Sequence, residues 1–236
     1  MLAGSMEARE IAARLMAQGQ EVVAVKSEAP RGPDPMPMPW KLIDTPGEAD
    51  LRAAMAGALA VVDASHGFDA AMSRAGHAAA RALGLPYLSL SRPAWGLEAE
   101  NWQTAADVAA AMPLIPPGSR VFSATGWGSL PDYAAFPGAR LMLRQTQRHD
   151  RKPPFDFVEL VFGDPPFSVA NETALFRARA VDLLICRNLG GRASRPKLEA
   201  ALALGIGVIL IDRPPLPDGT AVVHGVEEVL DWVAAL

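Results

Sequence analysis

The chain has 236 residues, half of them hydrophobic and a fifth charged, which supplies a buried core and excludes disorder, collagen and coiled coil. No apolar run reaches the roughly 18–20 residues of a membrane-spanning helix, and MLAGSMEAREIAARL carries its charges too early for a secretory signal. Net charge is -4, yet half of the 22 Lys and Arg fall within residues 140–197. Such a local positive field fits a small polyanionic ligand better than nucleic acid, although a solvated face would look the same.

In chain order, residues 5–18 place Ala8, Ile11, Ala12 and Leu15 at helical spacing, with Ser5 as N-cap and Glu7 and Glu10 near the positive end. Gly19 ends this helix and EVVAVK (21–26) reads as a buried strand. Pro30, Pro33, Pro35, Pro37 and Pro39 exclude a central strand or helix interior between them. A helix is expected near 48–57, a strand at 59–64, a helix near 69–83, a strand at 86–90 and a helix near 103–112. The second half gives strands at 120–125, 139–144 and 157–162, a helix at 168–180, and a strand at 181–186. A helix at 196–204, a strand at 207–212 and a closing helix at 226–236 complete it. This alternation predicts an α/β protein with parallel sheets.

Pro113, Pro116, Pro117 and Gly118 mark a linker near 113–119 and hence two domains, 1–115 and 116–236. Only Met1 and Leu2 precede the loop AGSMEAR at 3–9, whereas a doubly wound sheet feeds such a loop from a central strand of about five residues. The first strand is therefore expected to be missing or truncated.

Ligands of open α/β sheets sit beyond the carboxyl ends of the strands. Those ends carry Gly4-Ser5, Lys26-Ser27, Asp63 to His66, Ser91-Arg92, Thr125-Gly126, Arg187 to Gly191, and Asp212-Arg213. The Gly-rich loop at 187–191, with Arg192, Arg195 and Lys197 around the following helix start, suits a phosphate or carboxylate. Ser5 and Glu7 serve equally as helix cap and loop component, and Asp63 equally as a turn cap. Trp95 and Trp127 either stack on a planar ring or pack in a core. His77, His149 and His224 have no assigned role. Cys186, the lone cysteine, forms no internal disulfide and suits a reducing compartment, so a cytoplasmic protein is expected. One Cys and four scattered His lack metal-ligand spacing. No exposed apolar stripe stands out, so a monomer is expected.

These blocks also carry a resemblance. AGSMEAR at 3–9 resembles the GGTxEAR opening of the precorrin-6A reductase family, and DASHGF at 63–68 its DATHPF. RPAW (92–95), GDPPFSVANE (163–172), RNLGG (187–191) and DRP (212–214) resemble further family blocks in the same order. The resemblance implies two Rossmann-like domains with cofactor and substrate in the cleft between them. It implies NADPH-dependent reduction of a double bond in precorrin-6A, or its cobalt form, to precorrin-6B in cobalamin biosynthesis. The residues it implies are His66 as the catalytic group and Gly4, Ser5, Glu7, Asp63, Ser65, Arg187, Asn188, Gly190 and Gly191 around the cofactor. Arg92, Arg140, Arg144 and Arg213 are then expected to meet substrate carboxylates, with Arg140, Arg144 and Arg148 sharing one face at their four-residue spacing. Ala3, Gly67, Arg187 and Leu189 depart from the family pattern. The alternatives are another NAD(P)-dependent reductase, or a non-catalytic tetrapyrrole- or nucleotide-binding protein of this fold.

Overall fold

Every pair of neighbouring strands runs parallel in the computed structural model, which describes residues 1–29 and 36–236. Pro30, Pro33 and Pro35 of the proline-rich stretch lie outside the described residues. Two six-stranded sheets are built, one in each of two units: Met1–Pro93 with Pro214–Leu236, and Ala94–Arg213.

The first unit contains β1 (Leu2–Ala3), α1 (Met6–Ala17), β2 (Ala24–Lys26), β3 (Trp40–Leu42), α2 (Glu48–Ala54), β4 (Val61–Ala64), α3 (Ala70–Ala82) and β5 (Tyr87–Leu90). The second contains β6 (Trp102–Ala105), α4 (Val108–Ala111), β7 (Arg120–Ala124), β8 (Arg140–Gln145), β9 (Val158–Phe162), α5 (Val169–Ala178), β10 (Leu183–Arg187), α6 (Pro196–Leu204) and β11 (Gly207–Ile211). The chain then returns to the first unit with β12 (Ala221–Val223) and α7 (Val226–Ala234).

Sheet order in the first unit is β3-β2-β1-β4-β5-β12 and in the second β9-β8-β7-β10-β11-β6. Both are doubly wound orders, with the direction of winding reversing between β1 and β4 and between β7 and β10. The sixth place in each sheet is filled out of turn. β12 follows the whole second unit in the chain, and β6 precedes the strand that begins its own sheet.

Burial follows from the sequence pattern. Ile11, Ala12 and Leu15 of α1 pack with Val62, Leu88 and Val229 on one face of the first sheet. Leu2, Leu51, Val61 and Met72 pack on the other. In the second unit Phe122, Met142, Leu184, Leu198 and Val208 join α5 and α6 to their sheet. Each such side chain contributes about 1.5–3 kcal/mol when fully buried. Ser5, Asp69, Asp107 and Ser168 cap α1, α3, α4 and α5 by accepting a first-turn amide.

Two expectations are corrected, one is met, and two strands are additional. The first strand meets the expectation of a missing or truncated element in its second form: β1 is only two residues long, and it pairs with β2 and β4. The expected helix at 103–112 is instead β6 followed by α4 and a 3-10 turn at Met112–Leu114. Pairing of β6 with β11 from Trp102 to Ala105 overrides its local helical preference. The proposed linker at 113–119 lies inside the second unit, because the compact units divide after Pro93 and after Arg213. Finally, β3 and β12 are additional three-residue edge strands, largely exposed and so without an apolar pattern to announce them.

Candidate functional site

In the first unit the switch point lies between the carboxyl ends of β1 and β4. The amides of Gly4 and Ser5 both donate to the Ala64 carbonyl, at 3.0 and 3.1 Å, and Ser5 Oγ donates to it as well at 2.9 Å. Ser5 Oγ in turn accepts from the Ala8 amide at 3.2 Å. These bonds draw the β1–α1 turn against the β4 loop so closely that a Cβ on Gly4 would lie 2.4 Å from the His66 nitrogen. The first-turn amides of Met6 and Glu7 have no acceptor within α1, as at any helix start. Arg92, just past β5, binds both carboxylate oxygens of Glu7 at 3.1 Å and cancels the charge nearest the helix start. Residues expected on cofactor and substrate respectively thus hold one another.

His66 Nδ1 accepts from the Phe68 amide at 3.2 Å, which places the proton of a neutral ring on Nε2. Asp63 does not reach outward. It is 2% exposed, one oxygen accepts the Ser65 amide at 3.0 Å, and the other accepts Ser73 Oγ at 2.7 Å and Tyr87 OH at 2.9 Å. Burial, then the Asp63 carboxylate, pushes the Tyr87 phenol well above its ordinary pKa, so it stays a donor. Asp63 therefore ties the sheet to α3, and Ser65 Oγ lies 3.3 Å from Ser73 Oγ in the same network.

The second unit repeats the arrangement with other residues. Gly126, just beyond β7, has φ +87°, and a Cβ there would lie 3.4 Å from a guanidinium nitrogen of Arg187 at the end of β10. Thr125 and Ser129 hold this turn: their hydroxyls are 2.6 Å apart, and Ser129 also donates to the Gly126 carbonyl at 2.8 Å. Gly190 and Gly191 follow with φ of +65° and +73°. Asn188 is 4% exposed, accepts the Trp95 amide at 2.8 Å and donates to the Trp95 carbonyl at 3.1 Å. Trp95 Nε1 donates to the Gly191 carbonyl at 3.2 Å. Asn188 clamps the segment around Trp95.

The expected row of arginines does not form. Arg140 begins β8, so it stands at the amino edge of a parallel sheet, away from the edge where ligands sit, and donates to the Asp156 carbonyl at 3.4 Å. Arg144 turns inward: its side chain is 9% exposed, pairs with Glu172 at 2.8 Å and stacks on Phe167 with its guanidinium carbon 4.0 Å from the ring centroid. Arg213 lies two residues beyond β11 at the carboxyl edge.

Two further groups, the part-buried Lys197 and the buried Cys186, lie near Arg144 and Glu172. Lys197 Nζ donates to the Ser194 carbonyl at 2.6 Å, and burial lowers its pKa. Burial also pushes the Cys186 thiol up to about 11, so it is uncharged and unreactive at neutral pH.

A sequence model described as precorrin-6x reductase CbiJ/CobK matches residues 1–234. The chain belongs to this reductase family. It is 39% identical over 243 residues to the precorrin-6A reductase of Rhodococcus erythropolis, covering 100% of this chain and 97% of that protein. The precorrin-6A reductase of Rhodobacter capsulatus is 32% identical over 238 residues, covering 99% and 94%. A solved structure described as CobK precorrin-6A reductase superposes with a TM-score of 0.90 at 33% identity, covering 99% of this chain and 94% of that one. The two Rossmann-like units expected from the sequence blocks are thus the family's architecture.

Within this family frame the first switch point fits a dinucleotide. The backbone at Gly4 leaves no space for a side chain, and α1 begins there with open amides beside a neutralised Glu7. Among the described residues no group of three or more metal-binding side chains occurs, and no helix is long and apolar enough to cross a membrane. The sequence reading gave His149 no role and passed over Phe162, though both lie at strand carboxyl ends, which is the signal that would have found them.

Proposed function

We propose that this chain reduces one double bond of precorrin-6A to give precorrin-6B, using NADPH. The close turn of Gly4 and Ser5 against His66 at the switch point carries the reading. NADPH, when bound, supplies a hydride. The amides of Met6 and Glu7 receive its phosphate groups, and Arg92 keeps the Glu7 carboxylate from repelling them. His66 holds a proton on Nε2 beside the same turn, positioned to complete the reduction.

Fluorescence titration with NADPH, followed by turnover of precorrin-6A, tests this reading. Saturable NADPH binding with conversion to the dihydro product is expected. His66→Gln should retain NADPH affinity and lose about a hundredfold in kcat. NADPH binding without turnover of precorrin-6A would indicate a different acceptor, and absence of NADPH binding would overturn the proposal.

A further inference from the structure

The carboxyl ends of β7, β8 and β9 bring together a cluster that none of the assigned roles uses. Trp127 opens the 3-10 turn at Trp127–Tyr133 that follows Gly126, His149 lies four residues past β8, and Phe162 ends β9. The His149 ring meets Trp127 edge-on, with centroids 4.9 Å apart at 87°, and Phe162 at 5.5 Å and 77°.

Its tautomer is fixed from both sides. Nδ1 accepts the Arg151 amide at 3.2 Å and Nε2 lies 3.3 Å from Gln145 Oε1. Gln145 Nε2 donates to the Arg144 carbonyl at 2.9 Å, so its oxygen is the end that faces His149. These two contacts select the tautomer of His149 with its N–H at Nε2.

Two arginines cover the aromatic pair. The Arg151 guanidinium carbon is 4.3 Å from the Trp127 ring centroid and that of Arg148 is 5.7 Å from Phe162. Both side chains are exposed. Among the described residues neither guanidinium meets a carboxylate, not even that of Asp150 between them. Arg144, Arg179 and Arg195 of the same basic stretch are by contrast each held by a glutamate. Stacking on a ring fixes the plane of a guanidinium and leaves its in-plane N–H edge available for a carboxylate.

We propose that Arg148 and Arg151, set on the Trp127–His149–Phe162 platform, form a subsite for carboxylate side chains of a macrocyclic polycarboxylate. The inference rests on the proposed precorrin-6A reading and names where that substrate's acidic groups are received in the second unit. It moves the substrate contact from Arg140 and Arg144, which the fold occupies, to two arginines at the edge where ligands of parallel sheets sit.

The test pairs a binding probe with steady-state kinetics. Uroporphyrin III, a flat tetrapyrrole with a carboxylate on every substituent, is titrated calorimetrically against the unmutated chain, Arg148→Gln and Arg151→Gln. Its octamethyl ester serves as the uncharged control. Binding should weaken with added salt, each variant should lose about tenfold in affinity, and the ester should bind far less well than the acid. Both variants should melt as the unmutated chain does and keep its NADPH affinity, while KM for precorrin-6A rises about tenfold and kcat is retained. Unchanged KM and uroporphyrin affinity in both variants would overturn the subsite and leave the reductase reading intact, as would equal binding of acid and ester. Arginine-dependent uroporphyrin binding by a chain that reduces no precorrin-6A would support the subsite and sink the reductase reading.

Discussion

At Gly4 a single hydrogen atom decides the geometry of the first switch point. A methyl group there would be driven to 2.4 Å from backbone, the His66 nitrogen, which has no flexible end to move aside. Gly4→Ala should therefore part the β1–α1 turn from the β4 loop and weaken the bonds that Gly4 and Ser5 make to the Ala64 carbonyl. A loss of about 1–3 kcal/mol in stability and at least a tenfold loss of NADPH affinity are expected, read by thermal unfolding and fluorescence titration. Near-normal values of both would mean that the close approach is dispensable. The same scale holds contacts that the sequence does not announce. Asp63 and Asn188 sit at strand ends and look like ligand contacts in the sequence, but each has its polar atoms occupied within its own unit. Nothing in a linear sequence reports that Tyr87 will face Asp63 or that the Trp95 backbone will face Asn188.

Among the elements, α5 is attached to its sheet by an uncommon tie. Glu172 in its first turn is 1% exposed and pairs with Arg144 of β8, which also lies 5.0 Å from the ring centroid of the buried Phe122. Removing one partner leaves a buried charge without its counterion, so Glu172→Leu should destabilise the protein by about 3–5 kcal/mol. The double replacement Arg144→Met with Glu172→Leu should recover most of that loss. Denaturant melts of the single and double variants check the pair; equal losses in both would show that packing of Arg144, rather than the ion pair, holds α5. Elements of this kind were largely legible. Ser5 caps its helix where expected, α5 begins within one residue of its expected start, and the apolar runs of β7, β10 and β11 announced strands. What escaped was decided by partners distant in the chain: β6 is half polar and becomes a strand because β11 lies beside it. The arginine spacing at 140, 144 and 148 was legible too, but not that the first would stand at the amino edge and the second would turn inward to Glu172.

For the whole molecule, the order of strands matters more than their number. β12 completes the first sheet beside β5, with the Ser91 amide donating to the Val223 carbonyl at 2.9 Å, although residues 94–213 lie between them. Closing so long a segment while it is unfolded costs about 4 kcal/mol of chain entropy on a logarithmic length dependence. Once the second unit is folded most of that cost has been met. Its first residues are then clamped through Trp95 to Asn188 beyond β10, and its last follow directly from the neighbouring strand β11. Hydrogen-exchange pulse labelling during refolding should therefore find the amides of β7, β10 and β11 protected before that of Ser91; the reverse order would contradict this sequence of events. During synthesis the same order applies with a direction. The segment holding β1 to β5 leaves the ribosome first and yet waits, with the edge of β5 open, until β12 and α7 arrive after an entire second unit. The interval is one in which a chaperone, or a mispaired strand, can reach that edge before its own partner does.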